Sequence, residues 1–191
     1  MTSPATFLDT LAGLGVTSYF GVPDSLLKAF GQCVMNTVPG ERHVITANEG
    51  AAVGMAMGHY LATSEVGLVY LQNSGLGNTV NPLLSLADPD VYGVPMVLLI
   101  GWRGEPGVKD EPQHVKQGRV MLAMLDAMEV PYFVLAGDDA ADAQLAADAV
   151  AVARQRSTPV ALVARKSTFS SDGPAGEYGL PGWEQLPTRE A

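Results

Sequence analysis

Short apolar runs alternate with longer amphipathic or alanine-rich segments through most of this chain. The short runs are rich in β-branched residues and predict strands, whereas the 3.6-residue spacing of the longer segments predicts helices. The alternation predicts an α/β fold, a doubly wound, mostly parallel six-stranded sheet with helices on both faces. The predicted strands are residues 16–20, 43–46, 66–71, 94–100, 132–135 and 159–164, and the predicted helices are residues 4–13, 26–36, 49–64, 78–87, 119–128 and 138–156.

The pattern also predicts the domain organisation. The run at residues 94–100 is the most hydrophobic, which is typical of a central strand buried on both faces. After residue 168 the alternation gives way to glycine, proline and serine. We therefore predict one domain over residues 1–168 and a tail or linker over residues 169–191. Tyr178 and Trp183 in that tail either dock on a neighbour or belong to a terminus without fixed structure.

Composition narrows the class of protein. The 191 residues are 47% hydrophobic, enough for one domain with a full core. A net charge of −9 argues against nucleic acid and anionic membranes as partners. The single cysteine, Cys33, excludes a disulfide framework, and we expect it in the core. The first ten residues do not have the pattern of a signal peptide, and no apolar run could span a bilayer, so we expect a cytoplasmic protein.

The segment 44–58 is the first candidate for chemistry. A β-branched run leads into Asn48 and Glu49, which open a helix made of alanine, glycine, methionine and valine. Glu49 is thereby predicted at the carboxyl edge of a strand, where open α/β sheets bind ligands. Either Glu49 exchanges a proton with a ligand ring nitrogen, or it is an ordinary acid that stabilises a helix N-terminus. The small side chains behind it indicate burial against a large partner.

Two loops are further candidates. The loop 72–78 follows a strand and offers amides, a hydroxyl and glycines, so it either brings backbone close to a flat ligand or is a plain turn capped by Asn78. The segment 101–118 is long enough to be functional. Its cations suit a small anionic substrate, although its acids could cancel them; the cations are Arg103, Lys109, His114 and Lys116, and the acids are Glu105, Asp110 and Glu111.

Several common sites are excluded by spacing. The chain has no Walker loop, and Val80 stands where a dinucleotide fingerprint beginning at Gly75 needs its third glycine. Leu76 stands where a nucleophile elbow at Ser74 needs its closing glycine. The histidines are not at metal-ligand spacing, so we predict no metal site in this chain.

Four segments resemble phosphonopyruvate decarboxylase, a thiamine diphosphate enzyme family close to sulfopyruvate decarboxylase. They are residues 21–25, 46–50, 72–78 and 101–107, and the resemblance runs from about residue 5 to residue 165. It implies a pyrimidine-binding domain. The diphosphate-binding domain of such enzymes holds Mg²⁺ through a Gly-Asp-Gly motif. The nearest segment here, Gly137-Asp138-Asp139, lacks the second glycine.

The resemblance therefore implies a split enzyme. A diphosphate-binding (beta) subunit would hold Mg²⁺ and the diphosphate of thiamine diphosphate in an α2β2-type hetero-oligomer. The implied reaction is decarboxylation of 3-phosphonopyruvate, a small anionic 2-oxo acid, to phosphonoacetaldehyde. The alternatives are the alpha subunit of a sulfopyruvate decarboxylase and a non-catalytic binding or regulatory module of the same fold.

Residue roles follow from the same resemblance. Glu49 corresponds to the glutamate that hydrogen-bonds the aminopyrimidine ring, and Asp24 to an acid that handles protons near the substrate. His114 lies where some relatives carry a histidine pair. Gln72, Asn73 and Gly75 correspond to the loop that faces the pyrimidine. On charge, we expect the phosphonate at the loop cations, beside Ser25; these cations are Arg103, Lys109 and Lys116.

Overall fold

A six-stranded parallel sheet forms the centre of the molecule, as a computed structural model describing residues 1–171 shows. The strand order is β2-β1-β3-β4-β6-β5, and every pair is parallel. The predicted fold class is confirmed, and the predicted strand 94–100 supplies the central strand β4. The strands are β1 (Tyr19–Gly21), β2 (His43–Ile45), β3 (Gly67–Gln72), β4 (Met96–Gly101), β5 (Tyr132–Val134) and β6 (Pro159–Ala164).

Helices cover both faces of the sheet. One apolar cluster packs α1, α2 and α6 against one face, and a second packs α3, α4 and α5 against the other. Within residues 1–171, no helix is long and apolar enough to cross a membrane. The helices are α1 (Pro4–Gly13), α2 (Lys28–Thr37), α3 (Glu49–Thr63), α4 (Leu76–Pro82), α5 (Pro112–Ala127) and α6 (Asp139–Arg156).

Side-chain caps set the start of three helices. Ser3, Asn48 and Asp138 each accept a hydrogen bond from a backbone N–H in the first turn of α1, α3 and α6, respectively. Such caps satisfy N–H groups that have no partner inside the helix. Asp138 is thus the N-cap of α6.

The predicted starts of one strand and one helix were wrong. Residues 14–16 close the end of α1 through backbone bonds, such as Val16 N–H to Leu11 O at 2.9 Å, so β1 begins only at Tyr19. The helix predicted at 78 begins at Leu76 and continues past Pro82 as a π turn, because proline cannot donate the next helical hydrogen bond.

The largest correction concerns the segment 101–118. Helix α5 begins at Pro112, not at residue 119, and proline is well suited to the first helical position. The loop after β4 therefore ends at Glu111, and His114 and Lys116 lie on a helix. Gly118 misled the prediction: it lies inside α5, where a Cβ would meet the carbonyl oxygen of Gly104 at 1.8 Å.

The two ends of the described chain are bonded to each other, since the Thr2 N–H donates to the Thr168 carbonyl at 2.8 Å and the Ser170 N–H donates to the Thr2 carbonyl at 2.9 Å. Asp142 is fully buried and accepts hydrogen bonds from the Ala136 and Gly137 N–H groups and from the hydroxyl of Thr2. Phe169 stacks on Phe30, with ring centroids 5.7 Å apart. Packing therefore continues past the predicted boundary at residue 168. The rest of the predicted tail, residues 172–191 with Tyr178 and Trp183, lies outside the described residues.

The strand order predicts a ligand site at the carboxyl edge of the sheet, between β1 and β3. The chain leaves β1 toward β2 on one side through α2, and reaches β3 on the other side through α3. At such a reversal the connections after neighbouring strands diverge, which opens a crevice at the carboxyl ends of the strands. The connections after β1, β2, β3 and β4 all begin at this edge, and they carry most of the predicted site residues.

Candidate active site

Glu49 is the first residue of α3, four residues beyond the end of β2. The Thr46 N–H donates to the Gly21 carbonyl at 2.9 Å, so the connection stays against β1. The side chain of Asn48 accepts from the Ala51 N–H at 2.9 Å and caps the helix. The half-buried Glu49 side chain therefore leaves the helix N-terminus at the crevice edge of the sheet, as the sequence predicted.

Asn78 and Gly75 hold the Glu49 carboxylate from one side. The Asn78 side-chain N–H donates to Oε2 of Glu49 at 2.7 Å. Gly75 is buried, and a Cβ at this position would lie 2.2 Å from Oε1 of Glu49. Only glycine leaves room for the carboxylate here, so the position of the Glu49 side chain requires glycine at residue 75. Within the described chain, Oε1 accepts no hydrogen bond.

Asn78 is a residue that sequence reasoning missed. The sequence offered it only as a helix cap, whereas in the structure it lies in the first turn of α4 and bonds an acid 29 positions away. Its backbone carbonyl also lies 2.7 Å from where a Cβ would stand on Gly50. A glycine directly after Glu49 was the available signal, because it lets α3 and α4 approach closely.

Asn73 connects the loop after β3 to the loop after β4. Its side chain is buried and holds the Arg103 backbone at both ends, accepting from the N–H at 3.1 Å and donating to the carbonyl at 2.8 Å. Gln72 donates instead to the Ser74 hydroxyl at 2.5 Å. Contact of Gln72 and Asn73 with a cofactor stays a prediction. In this structure the Asn73 amide joins the two loops, whereas the Gln72 amide bonds within its own loop.

Asp24 lies in the turn between β1 and α2, and only 7% of its surface is exposed. Its Oδ2 accepts from the Leu26 and Leu27 N–H groups at 3.0 and 3.3 Å, whereas its buried Oδ1 has no partner among residues 1–171. Burial raises the pKa of the carboxyl, although the backbone N–H bonds and the charge of Arg103 oppose this. Such a carboxyl is suited to holding and passing a proton.

Asp24 reaches the carboxyl end of β4. A Cβ on Gly101, the last residue of that strand, would lie 2.1 Å from Oδ2 of Asp24. Next along the chain, the buried Trp102 donates its indole N–H to the Gly118 carbonyl at 2.8 Å. Gly101 thus makes room for the acid, and Trp102 anchors the following loop to α5.

Arg103 is paired with an acid of its own loop. Its Nε donates to Oδ2 of Asp110 at 2.8 Å, its Nη2 donates to Oδ1, and its Nη1 donates to the Ser25 hydroxyl at 2.9 Å. This ion pair holds the pKa of Asp110 well below its usual range and raises that of Arg103. The predicted cancellation of a loop cation by Asp110 therefore applies to Arg103.

The other predicted cations are placed differently. Lys109 and Lys116 are exposed and form no salt bridge with residues 1–171. His114 is half-buried in the first turn of α5, and its buried Nδ1 has no hydrogen-bond partner in the described chain. The Gly104 backbone packs against the His114 carbonyl. Hydrogen bonds thus fix the Arg103 side chain, His114 is only half-buried, and both lysines are exposed.

The predicted residues after β1, β3 and β4 form one connected edge. Asp24 contacts Gly101, Arg103 bonds Asn73, and Gly75 contacts Glu49, which lies after β2. A buried acid, a bonded carboxylate and an oriented guanidinium therefore lie along one edge of the sheet. This arrangement can bind an anion and move a proton. Residues 1–171 contain no group of three or more metal-ligating side chains.

Comparison with known proteins places the chain among thiamine enzymes. Residues 1–130 match the family model "Thiamine pyrophosphate enzyme, N-terminal TPP binding domain". A phosphonopyruvate decarboxylase of Streptomyces viridochromogenes is 39% identical over 135 residues, which are 71% of this chain and 33% of that protein. A sulfopyruvate decarboxylase subunit alpha of Methanococcus maripaludis is 32% identical over 122 residues, which are 62% of this chain and 68% of that subunit.

The fold has solved counterparts. A thiamine diphosphate-dependent 4-hydroxybenzoylformate decarboxylase of Rhodococcus jostii superposes with a TM-score of 0.63 at 22% identity, covering 91% of this chain and 32% of that one. The chain spans about a third of the phosphonopyruvate decarboxylase that it matches. Since the family model covers more than half of its residues, this chain belongs to the N-terminal TPP-binding domains of thiamine pyrophosphate enzymes.

Proposed function

We propose that this chain is the pyrimidine-binding part of a thiamine diphosphate-dependent decarboxylase that converts 3-phosphonopyruvate to phosphonoacetaldehyde and CO2. The observation that carries the proposal is Glu49, whose carboxylate accepts from Asn78 at Oε2, packs against Gly75 and has no hydrogen-bond partner at Oε1 among residues 1–171. The 39% identity to a phosphonopyruvate decarboxylase supports the choice of substrate.

The residues around Glu49 fit the aminopyrimidine ring of the cofactor. Oε1 is an acceptor without a partner in the described chain, at a half-buried helix N-terminus where a flat ring can approach glycine backbone. The cofactor supplies the electron sink for the pair left when CO2 departs. In the proposal, Glu49 holds a proton at a ring nitrogen, and the loop at Gly75 packs against the ring.

Asp24 is the proposed proton carrier for the substrate. In the reaction the bond between the carboxyl and keto carbons breaks, CO2 leaves, and a proton replaces it on the former keto carbon. Burial favours the protonated form of Asp24, and its Oδ1 has no partner among residues 1–171. The half-buried His114 is a second candidate for proton transfer, and Ser25 with the loop cations is the proposed site for the anionic end of the substrate.

A partner chain is part of the proposal. The exposed face of α3 carries small or apolar residues, namely Ala51, Gly54, Met55, Gly58 and Leu61. Such a patch at a cofactor site is suited to another protein surface. In the proposal, a diphosphate-binding chain covers it and holds Mg²⁺ and the diphosphate in a hetero-oligomer. The similarity to a separate alpha subunit supports this division.

Sulfopyruvate is the second candidate substrate. It is favoured by the coverage of 68% of a sulfopyruvate decarboxylase alpha subunit, against 33% of a phosphonopyruvate decarboxylase. Both acids carry a charged tetrahedral group, so one anion site can take either. Parallel kinetics on the two acids decide between them, and a higher kcat/KM for sulfopyruvate would overturn our choice.

The deciding experiment is reconstitution. The chain is co-expressed with candidate diphosphate-binding chains, and CO2 release from phosphonopyruvate is measured with thiamine diphosphate and Mg²⁺. We expect turnover from the wild-type assembly and at least a hundredfold loss in E49Q, with the complex still forming. Near-normal turnover of E49Q would refute the role of Glu49. An assembly that forms and binds the cofactor but releases no CO2 would favour a non-catalytic module.

A further inference from the structure

Asp110 accepts more hydrogen bonds than any other acid in the loop after β4. Its carboxylate takes the Nε and Nη2 groups of Arg103 and the backbone N–H groups of Gly104 and Glu111, the last two at 2.8 Å. These four bonds close the loop on itself. The side chains of Arg103 and Asp110 are only 18% and 15% exposed, so the pair is largely shielded from water.

Arg103 is immobilised at both ends. Its backbone is held by Asn73, and its guanidinium is held by Asp110 on one edge and by Ser25 on another. A bidentate pair between arginine and a carboxylate fixes the plane of the guanidinium, which a single contact does not. Arg103 is therefore an oriented donor between the turn after β1 and the loop after β4.

Two donors of this guanidinium remain for a ligand. The bonds to Asp110 and Ser25 use three of the five N–H groups of an arginine. One N–H on Nη1 and one on Nη2 have no acceptor among residues 1–171. Ser25 directly follows Asp24, and the Arg103 charge acts on the Asp24 carboxyl. The oriented guanidinium thus adjoins the proposed proton carrier.

We infer that Asp110 is a positioning residue that orients the Arg103 guanidinium to bind the tetrahedral anionic group of the substrate. This inference rests on the proposed function. Of the three cations proposed for the anion site, it assigns binding of the anionic group to Arg103 alone. Lys109 and Lys116 are solvated point charges on exposed side chains. Arg103 presents a planar fork, the geometry that suits a phosphonate or sulfonate oxygen pair.

The pairing also predicts how the site recognises its ligand. Asp110 cancels the charge of Arg103, so the pair attracts an anion through two directed N–H donors more than through net charge. Loss of Asp110 would then leave the guanidinium held by its single bond to Ser25, so that its plane is no longer fixed. We expect weaker substrate binding despite a more positive site, the opposite of what charge alone predicts.

The test compares D110N with E111Q in the reconstituted holoenzyme. Both variants remove one negative charge from the same loop, but the exposed Glu111 makes no side-chain bond with the described residues. We expect D110N to raise KM for phosphonopyruvate at least tenfold while kcat changes less than threefold. For E111Q we expect KM within twofold of the wild type. Equal KM values for D110N and E111Q, or a fall in kcat alone, would overturn the inference.

Arg103→Lys gives an independent measurement. It keeps the charge and leaves the Gly104 and Glu111 N–H groups donating to Asp110, so it serves even if D110N does not assemble. We expect R103K to raise KM at least tenfold. In the R103K background, D110N should raise KM by less than a further twofold, because Asp110 acts through the guanidinium. A KM for R103K within twofold of the wild type, or additive effects, would overturn the inference.

A binding measurement separates this inference from the proposed function. Calorimetric titration of the assembled protein with phosphonoacetate, which carries the anionic group but cannot be decarboxylated, needs no turnover. We expect at least a tenfold loss of affinity in D110N and none in E111Q. If the wild-type assembly decarboxylates neither acid, the proposed function fails. The titration alone then decides, and equal affinities would refute Asp110 as a positioning residue.

Discussion

The side-chain amide of Asn78 donates to Oε2 of Glu49 at 2.7 Å, joining the first turns of α4 and α3. The bond fixes one carboxylate oxygen, and the other packs against Gly75 without accepting a hydrogen bond from residues 1–171. We expect N78A to lower kcat of the reconstituted enzyme about tenfold, the effect of losing a hydrogen bond to a charged group. N81A is the matched control, because Asn81 is exposed on the same helix. Equal kcat values for the two variants would contradict the role.

Gly75 and Gly77 provide a paired test of the space beside Glu49. A Cβ on Gly75 would lie 2.2 Å from Oε1, whereas a Cβ on Gly77 would meet nothing within 4 Å. We expect G75A to displace the carboxylate and to lower turnover more than tenfold. G77A should leave the Tm of the isolated chain unchanged or raise it, since alanine favours a helix by about 1 kcal/mol over glycine. Full activity of G75A would show that the space between residue 75 and the Glu49 carboxylate is not needed for turnover.

The raised pKa of Asp24 predicts that the difference in free energy of unfolding between D24N and the wild type depends on pH. A raised pKa means that the folded state binds the proton more tightly than the unfolded chain, so wild-type stability falls as pH rises through the folded pKa. D24N cannot ionise. We expect its free energy of unfolding, relative to the wild type, to increase from pH 4 to pH 7 in urea titrations. A difference independent of pH would contradict the burial argument.

The same substitution should reduce catalysis. A positioned proton carrier contributes about a hundredfold or more to rate, so we expect kcat of D24N to fall by at least that factor. The measurement is CO2 release by the reconstituted enzyme at pH 7. Retained turnover of D24N would contradict the proposed role of Asp24 in proton transfer.

Among the acidic residues, we expect substitution of Asp142 to lower the free energy of unfolding most. D142A would leave the hydroxyl of Thr2 and the Ala136 and Gly137 N–H groups without their acceptor. We expect a loss of about 2–4 kcal/mol in the free energy of unfolding. D148A removes only a helix-surface bond to Gln144 and should cost less than about 0.5 kcal/mol. Urea titration of the isolated chain measures both, and similar losses would refute the difference.

The exposed face of α3 predicts where a partner binds. Met55 is 40% exposed, and M55E should prevent co-elution with the diphosphate-binding chain while leaving the Tm within about 2 °C. Ala151, exposed on α6 across the sheet, is the matched control site, and A151E should assemble normally. Assembly of M55E with unchanged affinity would place the interface elsewhere.

Local patterning determined the fold class and most elements of this protein. The period of two or 3.6 in apolar positions depends on neighbouring residues, so it identified β6 at its observed bounds and α3 to within one residue. Asn48 and Glu49 were placed at a helix N-terminus because capping is also local. The motifs at residues 21–25, 46–50, 72–78 and 101–107 carried the family resemblance, which the comparisons confirmed.

Only the tertiary structure decided which side chains meet. A parallel sheet brings the carboxyl ends of distant segments to one edge, so partners such as Asn78 with Glu49 and Asp110 with Arg103 depend on strand order and loop path. The start of α5 at Pro112 also depends on Gly104 and Gly118, which allow the loop after β4 to pack against that helix. These contacts are non-local, and no local pattern along the chain encodes them.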